Sequence, residues 1–352
     1  MDSDKLVFAI GNPLLDISAE CETKVLEQYE LQRGLACLAE DKHKQLFEDL
    51  MKNPTVATIP GGAAMNVLRC VNFMLKGTKP NSCLYYGSIA DDERGAVLKE
   101  NLNKENINHN FSITDETYTG ACAVVITDKE RALCADLAAC LKYKTEHIDS
   151  NIEALKDFKV LYTTGFFLSC NSEALKKVAA FSTENSITMA FNLSAVFLIG
   201  IFKQDYLDII EQVEVVFGNE DECDEFGKIH EVGSTDRKEI AKFIAKLPKK
   251  DTTKSRTVII HQSAENTIVA THDPAKDETN VTEYPVDELS QDDIVDTNSA
   301  GDSFAGGYLS ALAQGHTHET AMKAAAYCAK YIIQTSGCSF PRTNEFEYPE
   351  LS

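Results

Sequence analysis

From residue 160 onward the chain alternates short apolar runs with amphipathic helical stretches, and no other feature limits its fold so tightly. Residues 160–164, 187–191, 213–217 and 257–260 read as strands. Residues 172–184, 203–211 and 236–247 read as helices, the last with Ile240, Phe243, Ile244 and Leu247 on one side. Crossover helices between successive strands make those strands parallel, so the expected fold is α/β: a doubly wound, mostly parallel sheet flanked by helices.

The earlier part of the chain is less regular. Strands are expected at residues 6–10, 14–19, 37–39, 55–59 and 84–89, with helices at 41–51 and 91–102 and a further helix opened by Asn66, whose core face is Val67, Leu68, Val71, Met74 and Leu75. Residues 120–127 and 131–136 alternate, and the turn Asp128-Lys129-Glu130 joins them as a hairpin. Together with segments between 17 and 60 this hairpin predicts a second, small β-sheet that covers a cleft as a lid. The expected division is a large α/β domain from 1–16, 63–115 and 138–352 and a lid from 17–62 and 116–137.

A net charge of −21 argues against a general nucleic-acid binder, which needs a basic surface. A small polyanion remains possible where backbone N–H groups, a magnesium ion and one or two basic side chains gather. The longest apolar run, around 195–202, is broken by Gly200, and the acidic start Met1-Asp2-Ser3-Asp4 carries no visible presequence, so no membrane is expected and the location expected is cytoplasmic. Eleven cysteines, with no C-x-x-C and no histidine at zinc spacing, read as buried free thiols in a reducing compartment.

Residues 296–302, Asp-Thr-Asn-Ser-Ala-Gly-Asp, follow a stretch at 291–295 expected to be short and extended. They run into Phe304, Tyr308, Leu309 and Leu312 at helical spacing. A helix start offers unpaired N–H groups and partial positive charge, and the small residues Ala300 and Gly301 let a phosphate reach the main chain. Asp302 would repel that phosphate, yet it is well placed to take a proton from an attacking hydroxyl; read alone, a plain helix cap is equally consistent. Asp16 follows the first strand, where it suits either vicinal hydroxyls or a turn cap. Gly61 and Gly62 allow close approach beside Asn66, which fits a ribose contact or an ordinary polar helix start. Asn219 and Glu222, three apart after a strand, read first as an acid-rich helix start and second as organisers of hydrated magnesium. No G-x-G-x-x-G follows the first strand, and neither G-x-x-x-x-G-K-[ST] nor H-R-D nor D-F-G occurs, which counts against dinucleotide, P-loop and protein-kinase chemistry.

In order and spacing, Gly61-Gly62-Ala63-Ala64-Met65-Asn66 with residues 219–222 and 296–302 resembles the ribokinase-like (PfkB) carbohydrate and nucleoside kinases. Further blocks at 11–18, 38–44, 165–168, 192–195, 217–220 and 335–341 are similar to the members that act on adenosine. The resemblance implies ATP-dependent phosphorylation of the adenosine 5′-hydroxyl, a purine-salvage reaction, with Mg2+ on the phosphates. It implies that Asp302 is the general base and that the N–H groups of Ser299, Ala300, Gly301 and Asp302 form an anion hole. Asp16, Gly62 and Asn66 would hold the ribose hydroxyls, with Gly61, Asn12 and Asn298 in the same pocket and Leu133, Ala135 and Phe166 around the purine. Arg131 matches an arginine that approaches the phosphates on closure. Asn219, Thr297 and Gly301 lie on the ATP side, and Asn219 with Glu222 would hold the metal through water. The expected partners are adenosine and ATP, with the chain a monomer; a kinase for another nucleoside or sugar, or a catalytically impaired relative, stays open.

Two departures stand out. Ser299 replaces the first glycine of the usual anion hole, so its Cβ either crowds the phosphate or requires an ordinary φ; Ser299→Gly is expected to leave activity equal or raise it. His261-Gln262-Ser263 stands where relatives often end a strand with glycine, in the region bordering the ATP adenine.

Overall fold

The strand Val7–Ile10 (β1) shows why this sheet has two covered faces. All four residues are buried: Val7 and Ala9 enter one core with the helices Ala63–Met74, Ala300–Ala313 and His318–Ile332, while Phe8 and Ile10 enter another with Leu168–Glu184, Lys203–Ile210 and Arg237–Lys246. Alternation of side chains along a strand serves both faces at once, so an unbroken apolar run is what such a strand requires.

The computed structural model describes residues 5–351 except 78, 129, 288, 291, 336 and 342. Lys129 of the expected hairpin turn, Gln291, Ser336 of the matched block 335–341 and the four acidic-start residues therefore lie outside the described residues. The strands after β1 are β2 (Leu14–Glu20), β3 (Ala36–Leu38), β4 (Ala57–Gly61), β5 (Cys83–Ala90), β6 (Asn108–Thr114), β7 (Ala121–Thr127), β8 (Glu130–Asp136), β9 (Val160–Thr164), β10 (Thr188–Asn192), β11 (Val215–Asn219), β12 (Arg256–Gln262), β13 (Glu265–Asp273) and β14 (Glu278–Tyr284). Among the described residues they form a nine-stranded sheet, ordered β14-β13-β12-β11-β10-β9-β1-β5-β6, and a five-stranded sheet, ordered β3-β8-β7-β2-β4. The large sheet is parallel from β12 to β6 and antiparallel only where β13 and β14 are added. The chain leaves β1 toward β5 and later returns to its other side at β9. Strand order thus reverses there, and ligands of such sheets bind at the carboxyl ends beside a reversal of this kind.

β6, β13, β14 and the helix His318–Ile332 go beyond the elements expected from sequence. β14 is an edge strand with mostly exposed side chains, Glu-Thr-Asn-Val-Thr-Glu-Tyr, and β6 ends the other edge with Asn-His-Asn, so neither carries a long apolar run. The helix His318–Ile332 buries Met322 and Ile332, but its other buried residues are Ala321, Ala324, Ala325 and Cys328, so large side chains do not recur along its buried face. Asn66 does not open its helix, which begins one turn earlier at Ala63. The described part of 291–295 is not a strand either: the N–H groups of Val295 and Asp296 both bond the Ile333 carbonyl past a helix end, which leaves no ladder partner.

Close packing and a buried guanidinium hold the helices in place against one another. Gly306 meets the helix Ala63–Met74 so closely that an added Cβ would stand 2.5 Å from Cys70 Cβ, and the Cys70 thiol donates to the Ser303 carbonyl at 3.3 Å. Arg256 is fully buried and donates to the carbonyls of Leu247 at 2.6 Å, Ile210 at 2.6 Å and Pro248 at 2.9 Å, which satisfies the chain where two helices end. The cysteines are all free, eight buried and three half-buried. Cys37, His43 and Cys134 do meet in the small sheet, with ligand atoms within 4.8 Å of one another, although their spacing gave no hint of it. Both His43 ring nitrogens are already engaged, Nδ1 by the Glu40 N–H and Nε2 by the Tyr29 carbonyl. Among the described residues no helix is long and apolar enough to cross a membrane.

Candidate active site

The carboxyl ends of β1, β9, β10, β11 and β12 open on one cleft of about 2060 Å³, roofed by the small sheet. Its lining includes Asn12 after β1, Phe166 after β9, Asn219 at the end of β11, Asp16 of β2, Arg131, Leu133 and Ala135 of β8, and Gly62 and Asn66 of the neighbouring helix start. Residues 297–302 and Glu222 join them, so of the residues given a candidate role in the sequence only Gly61 is off the lining; it pairs with Leu14 in the small sheet and packs its backbone under the Asp16 carboxylate.

Asp302 sits in the first turn of Ala300–Ala313. The first i→i−4 bond of this helix is donated by Ser303 to the Ser299 carbonyl at 2.8 Å, so the N–H groups of Gly301 and Asp302 come ahead of that ladder. Asn66 Nδ2 donates to Asp302 Oδ2 at 3.0 Å and to Ser299 Oγ at 3.2 Å. Burial pushes the Asp302 carboxyl up to about 6, against the lowering effect of the Asn66 hydrogen bond. It is therefore mostly ionised at neutral pH and still basic enough to accept a proton. Ser299 takes a left-handed φ of 61°, the strained conformation that a glycine would adopt freely, so of the two alternatives drawn from the sequence the ordinary φ is excluded.

Nearby, burial raises the Asp16 carboxyl to about 7; Arg131 opposes this, Asp302 adds to it and Arg69 opposes it again. Gly62 has φ 100°, and a Cβ there would run into the Asn12 carbonyl, so the turn that leads into the helix carrying Asn66 needs glycine. Asn12 Nδ2 donates to the Phe166 carbonyl at 3.1 Å. Its Oδ1, like Asn66 Oδ1, is buried with no hydrogen-bond partner among the described residues. Leaving such an acceptor unpaired costs about 1–3 kcal/mol, so these two oxygens mark where ligand donors belong.

Arg131 forms an ion pair with Asp296, whose Oδ1 accepts the Asn298 N–H at 3.0 Å and whose Oδ2 accepts the Gly337 N–H at 2.7 Å. The two side chains are 11% and 3% exposed, so the pair is shielded from water. Sequence reading did not give Asp296 a role; its place at the head of the 296–302 motif was the available signal. Across the cleft, Asn219 and Glu222 close a capping box: Glu222 N–H donates to Asn219 Oδ1 at 2.8 Å and Asn219 N–H to Glu222 Oε2 at 3.0 Å. Burial lifts Glu222 to about 7, against hydrogen bonds from the Asn219 and Ser194 backbone and with help from Glu220 and Asp221. His261 pairs with Asn219 in the sheet, and its Nε2 lies 3.1 Å from where a Cβ on Gly301 would stand, beside the helix start.

The model of the pfkB carbohydrate kinase family matches residues 36–345. The chain is 34% identical to adenosine kinase 1 of Arabidopsis thaliana over 347 residues, covering 98% of each. Its structure superposes on Anopheles gambiae adenosine kinase, solved with P1,P4-di(adenosine-5) tetraphosphate, with TM-score 0.91 at 35% identity, covering 97% of this chain and 99% of that one. Schistosoma mansoni adenosine kinase with 2-fluoroadenosine gives TM-score 0.89 at 31% identity over 95% and 97% of the two chains.

Proposed function

The chain belongs to the pfkB family of carbohydrate kinases, and from that membership we propose that it transfers the γ-phosphoryl group of ATP to the 5′-hydroxyl of adenosine, giving AMP and ADP. The observation that carries this reading is the pair of orphaned buried acceptors, Asn12 Oδ1 and Asn66 Oδ1, in the same cleft as an ionisable base and an open helix start. Ribose brings hydroxyl donors to them and to Asp16, while Leu133, Ala135 and Phe166 offer apolar surface to the purine.

With the sugar so held, Asp302 takes the proton of the 5′-hydroxyl as its oxygen attacks the γ-phosphorus and the bond to the β-γ bridging oxygen breaks. In the turn 299–302 the N–H groups of Gly301 and Asp302 face the charge on the moving group, while that of Ala300 bonds the Thr297 carbonyl at 3.4 Å, and Thr297 and Gly301 border the donor. The small sheet, with 17–62 and 116–137 as its share of the chain, is the lid; it keeps water from competing with the hydroxyl and brings Arg131 toward the phosphates. The oxygen donors around residue 219 suit a hard divalent cation. Because the capping box occupies Asn219 Oδ1 and Glu222 Oε2, these two residues would hold Mg2+ through water. Bound there, the ion supplies positive charge against the donor phosphates. ATP as substrate and eleven unpaired thiols suit a reducing cytoplasm, where we place the enzyme as a monomer.

The test is ADP release on adding adenosine, with and without magnesium, beside inosine, ribose and fructose. Release that needs both adenosine and magnesium is expected. Equal rates with ribose or fructose would shift the assignment to another substrate of the family.

A further inference from the structure

The helix that carries Asp302 starts on a serine whose hydroxyl is used in an unusual way. A serine in that position normally turns its oxygen back onto the N–H groups two and three residues on, here those of Gly301 and Asp302. Ser299 makes no such bond. Its Oγ accepts from Asn66 instead, and its backbone is left-handed. Those two N–H groups are the ones an anion would use, so a self-capping serine would compete with the phosphoryl group for them.

We infer that Ser299 is a positioning residue whose hydroxyl, held by Asn66 and kept off the helix N–H groups, leaves the anion hole open and locks the Asn66 amide against Asp302. Both amide protons of Asn66 are committed on that side, one to Ser299 Oγ and one to Asp302 Oδ2. Its Oδ1 is thereby turned the other way, where it is buried and free of protein partners among the described residues. A rotated amide would set Oδ1 against the Asp302 carboxylate, an acceptor facing an anion. Without the serine oxygen only one of the two bonds resists that rotation. Ser299→Gly would relax the backbone, but it also removes the bond that holds Asn66, so the equal or raised activity expected from the sequence turns into a loss.

The inference rests on Asp302 acting as base, and its test separates the two. The Asn66 bond lowers the pKa of Asp302, so loosening it moves the acid limb of turnover to higher pH. Titratable groups facing Asp302 from neighbouring elements are Asp16 of β2, Cys70 of the helix Ala63–Met74, Tyr162 of β9 and Cys338. Of these Cys338 alone is reached by Ser299, and its thiol, pushed up to about 12 by burial, stays protonated throughout.

The experiment follows kcat from about pH 5 to 8 at saturating adenosine and MgATP for the full chain, Ser299→Ala and Ser299→Gly, with melting temperatures alongside. In Ser299→Ala, which keeps the backbone demand and lacks the hydroxyl, the limb should move up by about half a pH unit to one unit and kcat near pH 6 should drop about 2- to 5-fold. An acid limb for folded Ser299→Ala that coincides with the parent's overturns the inference, and a shift confined to Ser299→Gly does so too, because it assigns the effect to backbone. Should the unaltered protein fail to turn adenosine over, the base assignment falls first.

Discussion

Two helix starts line the same cleft, and both spell the same local rule: a polar residue followed three positions later by an acid. At 219–222 the rule is obeyed, with Asn219 extended at φ −97°, ψ 179° and its side chain and that of Glu222 bonded to each other's backbone. At 299–302 it is not, because Ser299 is left-handed and Asn66 draws off both its hydroxyl and the Asp302 carboxylate. The difference is between a closed terminus and an open one. Closed, the start has little to offer an anion directly and its acid is engaged; open, it presents bare N–H groups next to a carboxylate whose protein bond comes from a side-chain amide.

The sharpest test of that contrast is Asp302→Asn, expected to cut kcat by about 10² to 10⁴ while adenosine affinity changes little, since general-base loss acts on the transition state. Steady-state turnover near the parent's would place the base elsewhere. Asp16→Ala should weaken adenosine binding by about 10- to 100-fold through loss of charged hydrogen bonds to the sugar, read by calorimetry; an unaltered affinity would remove the ribose role. Glu222→Gln at the closed start should lower kcat about tenfold and raise the magnesium needed for half-maximal rate, a dependence that Asp302→Asn should leave alone.

Stability should respond with opposite signs. The Asp302 carboxyl is raised from 3.8 to about 6, so its protonated form favours the fold: that contribution is complete below about pH 4 and is lost as pH rises through about 6. Asp302→Asn removes the buried charge, and the ligand-free protein should gain about 1–3 kcal/mol at pH 8, visible in a denaturant titration. Asn219→Ala opens the other start and should cost about 1 kcal/mol in the same measurement. Two losses, or two gains, would mean that the termini do not differ as described.

Much of this was legible in the residue order. Strands buried on both faces announce themselves as apolar runs, which is why β9 to β12 were read within two residues of their bounds and the helices Leu168–Glu184, Lys203–Ile210 and Arg237–Lys246 were found, while the short helix Val196–Ile201 was not. Polar edge strands such as β14 lack that run, and an alanine-lined helix such as His318–Ile332 lacks the bulk that makes a stripe. At the site, the residues themselves were recognisable while the pairings were not. Asn66 and Ser299 are 233 positions apart and Arg131 and Asp296 are 165 apart, and no periodicity connects such partners. Nor does spacing reveal the sign of a φ angle: the sequence shows a serine where relatives carry glycine at 299, but not that its backbone stays left-handed.

The Arg131–Asp296 pair has a consequence for the cycle as a whole. In the proposed reaction, an arginine already neutralised by a carboxylate would reach a triphosphate only by exchanging one anion for another, and the Asn298 and Gly337 N–H groups bond the carboxylate it would leave. Such an exchange keeps the electrostatic balance nearly level on either side, so the cleft need not fall into a deep trap when it is full or spring wide when it is empty. In the proposed cycle Asp296 is a counterweight, the anion to which Arg131 returns whenever the nucleotide leaves.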